Sequence, residues 1–303
     1  MVDVAGTSFA AAVREELWHG GRLLERRLSY GQSCQVGEQI VASDRCDEGL
    51  LAIAEREMEQ MRHAVAELLC DFGPRVRLIA DARSDGLSST ITIRRGTYSV
   101  VTSPPHVEQD DELLRSIGSI QPEGEEVDYR GLPILWRNGT AAVLLHEAAG
   151  HPAEHGHPVV SWPGWLEVRD GAADLLAGEP PRQKRRATFR DVPLCRMLDL
   201  VVRQSGAPSD FPHDRLEILL IDGGTYEPLT GTVTISIAAA DLIVGEETRR
   251  VPPFRISQSR AAIARAIAGA AGEPIRYPGV VCSREGQELV VGSAAPLLVT
   301  VFE

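Results

Sequence analysis

Apolar residues recur at helical intervals in several stretches of the chain. The longest stretch is residues 48–70, where leucine, alanine, methionine and valine return every three or four positions between charged residues. Residues 7–18 carry a shorter stripe of the same kind, and residues 258–271 follow Ser257, which can cap a helix. We therefore predict a helix in each of these three stretches.

Elsewhere apolar and polar residues alternate, which is typical of a half-buried strand. This alternation covers residues 76–80 and 232–237, and residues 91–101 add a hairpin with a glycine at its turn. Short apolar runs follow between residues 280 and 301. Because the strands cluster away from the helices, without a regular strand–helix–strand repeat, the sequence predicts an α+β fold with antiparallel sheets.

An acidic stretch with several prolines separates two parts of the chain. It covers residues 103–130, and we predict that it forms a solvated connection with a short helix around residues 110–117. We predict an N-terminal domain of mixed α/β structure over residues 1–125. The predicted C-terminal domain, residues 126–303, is rich in antiparallel β-sheet and barrel-like, and it carries the helix that follows Thr140.

Composition narrows the choice of partners. The 303 residues are 43% hydrophobic and 24% charged, with a formal net charge of -12. Such an acidic chain repels nucleic acid and anionic membranes, so neither is expected as a partner. No apolar run approaches the ~20 residues that span a bilayer, and no secretory signal is evident at the N-terminus, so a cytoplasmic location is expected. The five cysteines are odd in number and widely spaced, which favours reduced thiols, one of which could bind a metal.

The candidate chemistry lies in one short stretch. The apolar run Ala141–Leu145 leads into His146-Glu147, and His151 follows five positions after the first histidine. This is the composition of a zinc site that carries its own catalytic base. Glu154, His155 and His157 follow closely; they could supply a third ligand, or they could be solvated or support the ligands.

The spacing of the two histidines conflicts with a regular helix. Positions five apart lie roughly 140° apart around an α-helix, so both rings could not reach one ion. Either the helix contains a wider π-type turn or it ends before His151. Gly150 tolerates unusual dihedral angles and Pro152 disfavours helical geometry in the residue before it. We therefore predict that the helix widens or breaks at Gly150, with His151 at its frayed end and turned back towards a metal.

Three blocks of sequence together resemble one known family. They are Leu144–His151 (LLHEAAGH), Arg185–Met197 (RRATF followed by PLCRM) and Gly279–Pro296 (GVVCSREGQ followed by VG and a proline). These blocks resemble the TldD/PmbA family, once described as modulators of DNA gyrase, and within it the TldD-like branch. The resemblance covers roughly residues 130–303.

The resemblance implies a zinc metallopeptidase. It implies that His146, His151 and Cys282 bind Zn²⁺ and that Glu147 is the general base for a zinc-activated water. It also implies that the substrates are flexible peptides or precursors of peptide natural products. The family's catalytic subunit commonly works with a PmbA/TldE-like subunit, so a heterodimer, or else a homodimer, is expected.

The chain also departs from the family pattern. Residues 152–156 replace the family's Gly-Leu-Glu-Gly-Asp, and the segment from there to the arginine-rich block is shortened, as is the N-terminal part. These departures keep two alternatives open: a non-hydrolytic peptide- or partner-binding subunit with a structural zinc, and a zinc hydrolase acting on a small amide intermediate.

One concentrated basic patch could bind an acidic part of a substrate. It covers residues 182–190, and Arg185 and Arg186 are its candidate substrate-binding residues. The simpler interpretation is a solvated loop or a subunit contact.

Overall fold

The fold divides into two compact units. The computed structural model describes residues 8–36, 39–84, 86–188, 190–205 and 211–303. Unit 1 comprises Met1–Gly118, Arg185–Leu194 and Val281–Leu289, and unit 2 comprises Ser119–Lys184, Cys195–Val280 and Val290–Glu303. The domain boundary expected near residue 125 stays a prediction.

Unit 1 contains an antiparallel sheet. Its strands are β1 (Ser8–His19), β2 (Arg22–Val36), β3 (Gln39–Ser43), β4 (Arg75–Arg83), β5 (Gly86–Arg95) and β6 (Tyr98–Thr102). They lie in the order β6-β5-β4-β1-β2-β3. The predictions of a strand at residues 76–80 and of a hairpin at residues 91–101 are confirmed. Gly96 turns the hairpin with a φ of +59°, a conformation that favours glycine.

The helix predicted over residues 7–18 is wrong, because this segment forms β1. Its apolar stripe, Phe9, Val13 and Leu17, is spaced by four residues, and an even spacing also places residues on one face of a strand. β1 is hydrogen-bonded to β2 on one side and to β4 on the other. Pairing with distant strands therefore decided between two structures that the local pattern fits equally well.

Helices pack on this sheet. They are α1 (Glu48–Ala64), α2 (Ala66–Cys70) and, after a 3₁₀ turn, α3 (Val107–Gly118). The helix predicted over residues 48–70 is confirmed, with an interruption at Val65. The Asp47 side chain caps its start by accepting hydrogen bonds from two backbone amides, and Met58 and Met61 are buried in the core.

The remaining strands belong mostly to unit 2. They are β7 (Pro133–Trp136), β8 (Leu166–Asp170), β9 (Ala173–Asp174), β10 (Lys184–Arg185), β11 (Leu194–Cys195), β12 (Asp199–Gln204), β13 (Arg215–Glu227), β14 (Thr232–Val244), β15 (Glu247–Val251), β16 (Phe254–Ser259), β17 (Ile267–Arg284) and β18 (Gln287–Val301). Strand order in unit 2 runs β15-β14-β13-β7-β18. β7 lies between β13 and β18, pairing parallel with the first and antiparallel with the second.

The helices of unit 2 begin directly after β7. They are α4 (Ala141–Leu145), a π turn (His146–Gly150), α5 (His151–Glu154) and α6 (Arg260–Ala266). Asn138 and Gly139 make the turn before α4 with positive φ angles. The Thr140 side chain donates to the carbonyl of Arg137 and does not cap α4.

The helix predicted over residues 258–271 is correct in kind and wrong in its bounds. Ser259, not Ser257, caps α6, because Ser257 belongs to β16. The helix ends at Ala266, and Ile267 begins β17. Ile267, which falls on the same helical face as Ile263 in the sequence pattern, therefore belongs to a strand.

The α+β class with a mostly antiparallel sheet is confirmed, whereas the barrel-like closure stays a prediction. Within the described part of the chain, no helix has both the length and the apolar character needed to cross a bilayer.

Candidate metal centre

A single wide turn brings the two histidines of the motif together. α4 is a regular helix, but in the turn that follows, the backbone N–H of His151 donates to the carbonyl of His146. The extra residue brings positions five apart onto one side, so the two imidazole centroids lie 4.7 Å apart and nearly perpendicular. Widening at Gly150 is therefore confirmed. A frayed end at His151 is wrong, because the helix continues through Pro152, which the first helical turn tolerates.

His146 is fully buried at the start of the π turn. Neither of its ring nitrogens has a hydrogen-bond partner in the described structure. Burial, together with the neighbouring His151 and Arg196 side chains, holds the pKa of His146 well below its usual value. The ring is therefore neutral, which is the form that binds a metal.

Glu147 is buried next to it. Its Oε2 has no hydrogen-bond partner and lies 3.7 Å from Nε2 of His151. Burial raises the pKa of Glu147 to about 7; the nearby His151 lowers it and Glu154 raises it further. A carboxyl group with this pKa can both accept and return a proton near neutral pH.

His151 has a carboxylate partner of its own. Nδ1 of His151 lies 3.0 Å from Oε2 of Glu154, and Oε1 of the same carboxylate accepts a hydrogen bond from the backbone N–H of Met197. Burial by itself would raise the pKa of Glu154, but the contact with His151, the amide of Met197 and the charge of Arg196 lower it overall. Glu154 is therefore an ionised carboxylate inside the fold.

The two histidines and a distant cysteine form a group that could hold a metal. The donor atoms of His146, His151 and Cys282 all lie within 4.8 Å of one another, and the Cys282 side chain is buried and is not part of a disulfide. Two imidazoles and a thiolate are ligands that zinc prefers. The unpartnered nitrogens of His146 fit such a role, because buried polar atoms normally have a partner.

Two glycines allow close packing around this group. A Cβ built on Gly150 would lie 2.2 Å from Sδ of Met197, and one built on Gly224 would lie 2.5 Å from Cγ of Glu147. Met197 therefore packs against the π turn, and β13 passes directly beside the Glu147 side chain. Neither contact could be read from the sequence, although Met197 lies in the second family-like block.

No model of a known protein family matches the chain, and no curated protein matches it. A solved structure, TldE from Thermococcus kodakarensis, matches 97% of this chain and 94% of its own, with 9% identity and a TM-score of 0.49.

Two further solved structures match over a similar length, and both are named as candidate modulators of DNA gyrase. The protein from Thermotoga maritima is 9% identical, with a TM-score of 0.47 over 97% of this chain and 93% of its own. The protein from Bacteroides thetaiotaomicron is 12% identical, with a TM-score of 0.45 over 97% and 94%. These names match the family that the sequence blocks resemble.

A second polar cluster lies beside the π turn. The phenol of Tyr226, two residues beyond Gly224 on β13, lies 2.5 Å from Nδ1 of His157 and near the guanidinium of Arg260. Nε of Arg260 donates to the carbonyl of Ala148, inside the π turn. His157 is thus a neighbour of Tyr226, as is His155, whose ring lies 6.3 Å from that of Tyr226. Neither belongs to the three-residue group that could bind a metal.

The basic block of residues 182–190 is partly built into unit 1. Arg186 is buried, with its guanidinium 4.2 Å from the ring centroid of Phe9, and its carbonyl accepts a hydrogen bond from Arg83. The Gln287 side chain accepts from the N–H of Ala187 and donates to the carbonyl of Val192. Contacts within the fold thus account for the position of Arg186. Substrate binding by Arg185 and Arg186 stays a prediction, and Phe189 lies outside the described residues.

Proposed function

We propose that this protein is a zinc-dependent peptidase of the TldD type, which hydrolyses flexible peptides or precursors of peptide natural products. The observation that carries the proposal is the buried group of His146, His151 and Cys282 beside the carboxylate of Glu147. Three protein ligands leave one position for substrate or water, whereas a structural zinc site usually has four.

The residues of the site divide the chemistry between them. A bound zinc ion would act as a Lewis acid and would make water nucleophilic at neutral pH. Oε2 of Glu147, which has no hydrogen-bond partner, would accept the proton of the attacking water and return it to the leaving amine. The neutral His146 and Cys282, which would lose its thiol proton to solvent and bind as the thiolate, would serve as ligands, and burial would keep bulk water away from both.

Metal analysis tests the ligand set. We expect about one equivalent of zinc in the purified protein, and little in the His146→Ala and Cys282→Ala variants. Cys195→Ala is the matched control, because Cys195 is an exposed free thiol. Less than about half an equivalent, unchanged in the ligand variants, would count against the metal site.

A Glu147→Gln variant tests catalysis separately from metal binding. Glutamine keeps the shape of the buried side chain but cannot take a proton. We expect the variant to keep its full zinc content. We expect it to hydrolyse a casein-derived peptide mixture about 100-fold more slowly or worse, as measured by mass spectrometry of the products. Full activity in the variant would contradict the assignment of the base. A zinc-loaded wild type that cleaves no peptide would favour the non-hydrolytic subunit or a small amide substrate.

We also propose an assembly partner, either a PmbA/TldE-like subunit or a second copy of this chain. The support is the family-like blocks over residues 130–303. Light scattering on the protein alone and after co-expression with a PmbA/TldE-like protein tests this. A monomer in both samples would contradict the proposal.

A further inference from the structure

The carboxylate of Glu154 is fully buried, and each of its oxygens has a separate contact. Oε2 lies 3.0 Å from Nδ1 of His151, and Oε1 accepts from the backbone N–H of Met197 at 2.9 Å. Nε of Arg196, itself buried, lies 3.9 Å from Oε1. The side chain is therefore held from two directions, by the helix that carries it and by the segment Arg196-Met197.

These contacts determine which nitrogen of His151 carries the proton. The backbone N–H of Met197 can only donate, so Oε1 must accept. Two donors, the N–H of Met197 and the guanidinium of Arg196, whose Nε is 3.9 Å away, lie beside Oε1, which are the surroundings of a carboxylate that accepts at both oxygens. The hydrogen between Oε2 and His151 then resides on Nδ1. In the neutral imidazole the lone pair is at Nε2, the nitrogen that lies 3.7 Å from Oε2 of Glu147.

His146 differs in this respect. Neither of its nitrogens has a hydrogen-bond partner in the described structure. The tautomer of one ligand is thus fixed by the fold, and the tautomer of the other is not. Histidine ligands are commonly oriented by a carboxylate on their second nitrogen.

We propose that Glu154 is a positioning residue, which holds His151 as the Nδ1–H tautomer and so presents Nε2 as a ligand before any metal binds. The metal-binding part of this inference rests on the proposed function; the tautomer does not. Met197 contributes twice, because its amide orients the carboxylate and its side chain packs against Gly150.

The tautomer can be measured in the metal-free protein. In the wild type, histidine-selective ¹⁵N labelling and long-range ¹H–¹⁵N correlation spectra should show His151 protonated on Nδ1, with His151→Ala identifying the signal. In Glu154→Gln the single amide oxygen accepts the hydrogen bond from the N–H of Met197, so the NH₂ group faces Nδ1 of His151. We expect the His151 proton to move to Nε2 in this variant. A wild-type His151 protonated on Nε2 would overturn the proposal without any variant.

Zinc affinity supplies a second readout. Competition with a chromophoric chelator should show zinc binding about 10- to 100-fold weaker in Glu154→Gln than in the wild type. Glu217→Gln is the matched control, because Glu217 is also a buried carboxylate of unit 2 but is paired with Arg137 and Arg215. We expect unchanged zinc affinity in the control.

The two proposals fail in different ways. If the wild type binds zinc and Glu154→Gln keeps both the tautomer and the affinity, Glu154 is not a positioning residue, although the metal site stands. If the wild type binds no zinc but its His151 is protonated on Nδ1 and changes in Glu154→Gln, the tautomer assignment stands and the proposed function fails.

Discussion

The Glu147 side chain lies against the backbone of Gly224, so closely that a Cβ at position 224 would be 2.5 Å from Cγ of Glu147 and 2.9 Å from its Oε1. Backbone, unlike a flexible side chain, cannot easily move away from such a contact. β13 thus forms one wall beside the candidate base and restricts where its carboxylate can lie.

A Gly224→Ala substitution should displace the Glu147 carboxylate. We expect peptide hydrolysis to fall much more than zinc content, with a loss of about 1–3 kcal/mol in the free energy of unfolding from overpacking. Gly223→Ala is the matched control, because a Cβ on this neighbouring glycine would meet no atom within 4 Å. Equal activity in the two variants would show that the contact does not position Glu147.

Gly150→Ala should destabilise the protein although alanine favours helices. A Cβ would lie 2.2 Å from Sδ of Met197, which is fully buried. The overpacking cost of about 1–3 kcal/mol should exceed the gain of about 1 kcal/mol in helix propensity. Urea unfolding measures the difference.

A second substitution tests whether Met197 is the cause of that loss. In a double-mutant cycle, Gly150→Ala should cost less in a Met197→Ala background than in the wild type. Gly118→Ala, at the end of α3, is the control, since its Cβ would meet nothing within 4 Å. Independent effects of the two substitutions would contradict the proposed clash.

Unit 1 should lose stability in acid through Glu16. Burial alone would raise the pKa of this carboxyl, but hydrogen bonds from Arg62, Trp18 and Arg26 lower it below 4.5 overall. The pKa of Glu16 is lower in the folded state than in the unfolded state. The contribution of Glu16 to the free energy of unfolding is therefore fully present above the unfolded-state pKa of about 4.3, and it is lost as the pH falls through the folded-state pKa.

Urea unfolding between pH 3 and pH 7 measures this contribution. In Glu16→Gln the free energy of unfolding should be lower at pH 7 and should vary less with pH below about 4.5. Glu15→Gln removes a more exposed carboxylate of the same strand, paired with Arg77, and serves as the control. Identical pH profiles for wild type and Glu16→Gln would exclude this role.

Cobalt substitution should identify the thiolate ligand. Co²⁺ bound through Cys282 should give a sulfur-to-metal charge-transfer band in the near ultraviolet. We expect Cys282→Ser to lose this band and Cys195→Ser to keep it, because Cys195 is exposed and lies outside the three-residue group. Absorption titration of the metal-free protein measures it. A band that persists in Cys282→Ser would require a different sulfur ligand.

Local patterns predicted the parts of the fold that local interactions determine. The helical periodicity of residues 48–70 predicted the segment that forms α1 and α2. β1 did not follow, because Phe9, Val13 and Leu17 fit a helix stripe and a strand face equally well. Its pairing with β4, whose partner residues lie 56 to 72 positions away along the chain, decided the structure.

The residues of the candidate site were likewise predicted only where local sequence marks them. Residue type and spacing indicated His146, Glu147 and His151, and predicted that the helix must widen or break at Gly150. Cys282 was reached only through the family-like block, because nothing near it in the sequence marks it as a ligand. The packing of Met197 and Gly224 depends on segments that meet only in the folded chain, and no sequence pattern marks such contacts.

The π turn also fixes an angle. Removing one residue, Ala148 or Ala149, would restore the four-residue histidine spacing of a regular helix, but it would turn α4 by about 100° relative to α5 around their common axis. Every residue of α4 is buried, so no face of it is free to accept that rotation. The number of residues between the two histidines therefore determines how α4 packs in the core. The shorter spacing would require the residues around α4 to pack in a different way.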